Sequence, residues 1–184
     1  MAANMIRDNI DFGLYMESTE AAHKIIPASA YAEEVADYLQ NGEQMHGAML
    51  PWKRTRDKIR FRPGEVTLWS GMNGHGKSLA LGQAMVGFVC QREPVCIASF
   101  EMRPVVTLAR MMRQTAGCRH PDREMVLGVH EVWSDWLWLY DQQGQVHADK
   151  ILAVMRYAAQ ELKVKHFVVD SLMKCGISED DYTA

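Results

Sequence analysis

Paired cysteines are missing from this chain: Cys90, Cys96, Cys118 and Cys175 are scattered, without a C-x-x-C step or a histidine at zinc-finger spacing. This excludes a legible disulfide framework or zinc module and reads as reduced thiols in a cytoplasm. His120, His130, His147 and His166 also lack ligand spacing and read as surface or locally bonded residues, so no structural metal is assigned. No run approaches the roughly 18 apolar residues of a membrane span. Arg7, Asp8 and Asp11 stand where a signal peptide would be apolar, so the expectation is a soluble, unprocessed chain with no membrane partner. A large excess of one charge is absent too. A formal net charge of -3 gives no global pull toward nucleic acid or anionic lipid, so any such contact must come from a local patch.

What is present is a globular composition, 48% hydrophobic and 23% charged over 184 residues, enough for one core and an extension. Residues 1–50 read as a helical N-terminal extension or linker and 51–184 as the core. The most specific segment is Gly71-Met72-Asn73-Gly74-His75-Gly76-Lys77-Ser78, a complete G-x-x-x-x-G-K-[ST] loop. Its backbone N–H groups must curl round phosphates closely enough that a Cβ would obstruct, which Gly71, Gly74 and Gly76 avoid. Lys77 supplies a point charge for the terminal phosphates, Ser78 a hydroxyl for magnesium, and the next helix its positive end. The flanks fit: Glu65-Val66-Thr67-Leu68-Trp69 reads as a strand after Pro63-Gly64, and Leu79, Met85, Val86 and Val89 follow at helical spacing. The expected ligands are ATP and Mg2+.

Strand and helix alternate elsewhere. Residues 1 to 28 read as a loose helix or arm. From Ser29, a possible N-cap, Tyr31, Val35, Tyr38 and Leu39 share a face until Asn41-Gly42, a stripe that packs on its own domain or a neighbouring subunit. Lys53, Arg54, Arg56, Lys58, Arg60 and Arg62 meet one acid, Asp57, with Ile59 and Phe61 alternating between bases. This reads as a charged edge strand that resists aggregation, with phosphate contact as the functional alternative. Residues 94–100 read as a buried strand. Pro104 opens a helix with Val105, Leu108, Ala109 and Met112 on one face, ending before Gly117. Residues 121–132 form another helix, and 136–140 a strand with Trp136 and Trp138 on one face. Those tryptophans and Trp133 read as packing rather than base-stacking platforms, and the 13 methionines as core filling. Asp149 caps a helix bearing Ile151, Val154, Met155, Ala158 and Leu162.

Lys165-His166-Phe167-Val168-Val169-Asp170 is an apolar strand ending in a carboxylate, the form of a Walker B segment. Asp170 at the strand's C-terminal edge can hold magnesium, or simply cap the next turn. Many ATPases place a glutamate directly after that Asp to orient water, whereas residue 171 here is Ser. The carboxylate must come from elsewhere. Glu101, just past the strand after the phosphate-loop helix, is the candidate base.

Ser99-Phe100-Glu101-Met102, followed by a helix with Leu108, Ala109 and Arg110, resembles the S-L-E-M segment of DnaB-like hexameric replicative helicases and phage primase-helicases. On the same comparison, residues 62–66 resemble the entry to that family's core, Gly71 to Ser78 its first motif, and Phe167 to Asp170 its Walker B motif. The resemblance spans about residues 50 to 175. It implies a RecA-like P-loop NTPase fold: an α/β domain with a mostly parallel sheet and helices on both faces, C-terminally incomplete because Ala184 comes before the family's last strands. It further implies Glu101 as base with Lys77 and Asp170 in catalysis, single-stranded DNA as partner, and a homo-oligomer, a hexamer in full-length form. His75 replaces a frequent methionine at a position that can face outward. The expectation is a fragment or partner-dependent chain, marginally stable or associating alone. A RecA-type or clock-type ATPase, or a nucleotide-binding module without turnover, are the alternatives.

Overall fold

The buried run Val95-Cys96-Ile97-Ala98-Ser99 is central to a parallel sheet in this computed structural model, which describes residues 4–6, 10–16, 27–41, 47–56, 58–72 and 74–176. Gly42, Asp57 and Asn73, named above, lie outside the described residues, as do Arg7 and Asp8. The strands are β1 (Asn4–Ile6), β2 (Ala48–Met49), β3 (Arg60–Phe61), β4 (Val95–Ser99), β5 (Leu137–Tyr140) and β6 (His166–Asp170). The helices are α1 (Ala32–Asn41), α2 (Lys77–Cys90), α3 (Pro104–Ala116), α4 (Arg123–Trp133) and α5 (Ala148–Gln160). Four strands form the parallel sheet in the order β1-β5-β4-β6, while β2 and β3 make a separate antiparallel pair.

Successive strand residues face opposite sides, and both sides are covered by helix. Val95, Ile97, Leu137, Leu139 and Val168 pack with Met85 and Phe88 of α2, Met111 of α3 and Trp133 of α4. Cys96, Ala98 and Tyr140 pack instead with Ile151, Val154 and Ala158 of α5 and with Phe12. A parallel sheet needs such double cover because its strands are apolar on both faces. The chain is therefore α/β, with helices on each side of a parallel sheet. No described helix is long and apolar enough to cross a membrane.

Local chemistry explains most boundaries. Pro104 occupies the first turn of α3, where its missing N–H costs nothing, and Gly117 ends that helix at φ 63°. Asp122 caps α4 by accepting from the Met125 N–H at 2.8 Å. The expected Asp149 cap is corrected: His147 is the cap residue of α5, without a side-chain bond, and Asp149 lies in the first turn. There its charge suits the helix dipole.

Several expectations change. Asn4–Ile6, read as part of a loose helix or arm, pairs with β5, and a 3₁₀ turn at Phe12–Tyr15 stacks Phe12 and Tyr15 edge-on against Tyr157. Short segments of mixed polarity carry no period, so their partners decide their form. Residues 65–69 do not form the predicted strand. A strand needs a ladder partner, and Val66 and Leu68 are 98% and 74% exposed, while Trp69 turns aside to stack on Phe61. Leu79 and Val105 are exposed rather than buried on their helical stripes. Trp136 and Trp138 pack into opposite clusters, because Trp136 belongs to the turn leaving α4 and only Trp138 to the strand. Tyr31, Val35, Tyr38 and Leu39 on and before α1 are all exposed.

Candidate functional site

Gly74 and Gly76 have φ of 80° and 81°, the left-handed region where any Cβ would be strained. Gly76 then caps α2 without a side-chain bond, so the first-turn N–H groups of α2 face the loop unclaimed by any cap. The Lys77 ammonium donates to the carbonyls of Gly71 at 2.6 Å and Met72 at 3.0 Å. Two of its three protons hold the loop's own backbone, and one remains for an anion. Met72, Gly74, His75 and Gly76 are exposed at this surface.

The loop meets the C-terminal edge of the sheet, where open α/β sheets bind ligands. Ser99 and Asp170 are register partners at the ends of β4 and β6, and the Phe100 N–H donates to the Asp170 carbonyl at 2.8 Å. The Ser78 hydroxyl donates to Asp170 Oδ1 at 3.4 Å, joining residues 92 apart in sequence. Glu101, exposed just past β4, accepts from the Ser171 hydroxyl at 3.0 Å. Lys77, Ser78, Glu101 and Asp170 thus stand on neighbouring elements.

Two further residues line this place that sequence reasoning did not assign to it. A cavity of about 20 Å³ is bounded by Ser78, Ser99, Met102, Thr107, Arg110 and Asp170, among others. Arg110 is half-buried and makes no hydrogen bond or ion pair with the described residues. The Thr107 hydroxyl is buried without a hydrogen-bond partner among the described residues. Their spacing is the one legible signal, since Thr107 and Arg110 lie three apart on α3 and share a face. That face is turned toward α2, where Gln114 donates to the Leu79 carbonyl at 2.8 Å.

Ser78 and Asp170 offer hard oxygens, the donor type magnesium prefers, and magnesium commonly takes one or two protein ligands with phosphate and water completing its shell. Among the described residues no three His, Cys, Asp or Glu side chains gather as a metal site. The loop's left-handed glycines and uncapped helix end suit a phosphate chain.

The basic run lies elsewhere. Met49 exchanges hydrogen bonds with Gln91 beyond the C-terminal end of α2, and Pro51 touches Gly87. A 14-residue helix is about 20 Å long, so Lys53, Arg54, Arg56 and Lys58 sit at the far end of α2 from the phosphate loop. Arg62 is paired with Glu65 at 3.2 Å. Burial raises the pKa of the Cys96 and Cys175 thiols, which disfavours their reactive thiolate form at neutral pH. No protein-family model matches the chain.

Proposed function

We propose that this chain binds a magnesium nucleoside triphosphate, ATP by preference, and hydrolyses it. The observation that carries the reading is the contact of Ser78 Oγ with Asp170 Oδ1 at 3.4 Å, beside the uncapped start of α2. Two oxygen donors from distant sequence meet where the phosphate loop ends, as a magnesium site requires. Ser78 and Asp170 would hold the ion, which would supply positive charge against the terminal phosphates. The loop N–H groups and α2 hold the phosphate chain, and Lys77 adds a localised positive charge. Glu101 takes a proton from water as its oxygen attacks the terminal phosphorus and the bond to the diphosphate breaks. Arg110, which lines the same cavity, adds positive charge.

The motor class is part of this proposal. The S-x-E-M step, with Glu101 and Asp170 at adjacent strand ends, supports a RecA-like core working in a DnaB-like replicative helicase. Single-stranded DNA and further copies of the chain are the partners that reading requires. A fluorescent ATP analogue titrated with and without magnesium tests the binding claim. Magnesium-dependent affinity, lost in Lys77→Ala, is the expected result, and no saturation in the millimolar range would overturn it. Release of phosphate, and its stimulation by single-stranded DNA, separate a helicase motor from a binding module without turnover.

A further inference from the structure

Ser171 stands where many ATPases carry a second acid, yet its hydroxyl reaches the acid supplied by the neighbouring strand. The bond from Ser171 Oγ to Glu101 Oε1 is 3.0 Å and spans 70 residues. Both ends of this bridge are anchored in backbone. On one side, Phe100 N–H donates to the Asp170 carbonyl at 2.8 Å, and Ser99 pairs in register with Asp170. On the other, the Ser171 carbonyl accepts from the Lys174 N–H at 3.1 Å within a 3₁₀ turn whose following residue, Cys175, is buried. The hydroxyl is therefore presented from a fixed position, while Glu101 is exposed and has three rotatable side-chain bonds of its own.

We infer that Ser171 is a positioning residue for Glu101, an inference that rests on the hydrolytic reading above. A serine hydroxyl has one proton to give, and giving it to Oε1 fixes the plane of the carboxylate while Oε2 remains free to accept from water. A base held within a fraction of an ångström of its working place is worth a large factor in rate, since a 1 Å error can cost roughly a hundredfold. An acid at 171 could not do this, because two ionised carboxylates at that separation repel. The serine and the glutamate act as a pair held just past the ends of two adjacent strands.

The test compares wild type, Ser171→Ala, Ser171→Thr, Glu101→Gln and the double variant Glu101→Gln/Ser171→Ala, reading kcat and KM for magnesium ATP with analogue affinity measured separately. The expected result is a fall in kcat of about ten- to a hundredfold for Ser171→Ala, with KM and analogue affinity unchanged. Ser171→Thr, which keeps the hydroxyl, restores most of it. In the Glu101→Gln background the serine change should add nothing, because the group it positions is gone. Normal kcat in Ser171→Ala beside a dead Glu101→Gln overturns the positioning role and leaves the base intact. A wild type that binds without hydrolysing, or a fully active Glu101→Gln, overturns the base and this inference with it. Loss of analogue binding in Ser171→Ala assigns the residue a structural role and also overturns the proposal.

Discussion

At the scale of single residues, Arg110 gives the sharpest contrast with the other arginines. Arg62 is matched by Glu65, and Arg156 donates to the carbonyls of Tyr15 and Met16, while Arg110, half-buried and lining one cavity with Ser78 and Asp170, has no such partner among the described residues. A guanidinium partly removed from water and left unanswered is disfavoured unless an anion completes it. Arg110→Ala should weaken magnesium ATP binding or lower kcat by about tenfold or more, and Arg110→Lys should recover only part, because the planar fork is lost. Equal nucleotide titrations and phosphate-release rates for all three proteins would remove Arg110 from the site. For the proposed base, Glu101→Gln should lower hydrolysis by about a hundredfold or more while analogue affinity holds. Why Arg110 was not read from sequence, while Lys77 and Ser78 were, is a matter of range. The loop's geometry is local and its glycines are written consecutively, whereas Arg110 acquires its surroundings only when α3 packs across α2.

At the scale of elements, the same distinction holds. α3 was legible because it carries its own start and stop, Pro104 and Gly117, and β4 and β6 because each is a short continuous apolar run. The run 65–69 alternates as a strand should, but alternation does not supply a ladder partner, and its Val66 remains 98% exposed. Gly87 on α2 offers a test of packing against propensity. A Cβ there would sit 2.9 Å from the Pro51 ring, whose atoms cannot swing aside. Alanine gains about 0.8–1.0 kcal/mol of helix propensity, against about 1–3 kcal/mol for overpacking. Gly87→Ala should therefore be neutral to destabilising in a urea titration, and a clear gain in midpoint would show that Pro51 moves freely. Phe88, 1% exposed between Phe61 and His166, should cost about 3–5 kcal/mol when cut to alanine. Leu39→Ser on the exposed face of α1 should stay within about 0.5 kcal/mol.

At the scale of the whole molecule, stability depends on how the two faces of the sheet hold to β4 and β6, and His166 makes that hold sensitive to pH. Its ring lies 4.7 Å from that of Phe88, and burial lowers its pKa from 6.5, outweighing the raising effect of Glu93; Lys165 lowers it further. Glu93 is 3.9 Å away and already pairs with Lys165 at 3.0 Å, so its attraction is shared. His130 is shifted the same way, first by burial. With the folded value below the unfolded one, the unfolded chain binds more protons in the window between them. The neutral ring's contribution is therefore full above about pH 6.5 and is lost as pH falls through the folded value. Urea midpoints should fall between pH 7.5 and pH 5, and His166→Gln should flatten part of that fall while lowering stability at neutral pH through lost packing on Phe88. If the variant keeps the full pH dependence, the proton uptake belongs to His130 or to carboxylates rather than to the start of β6.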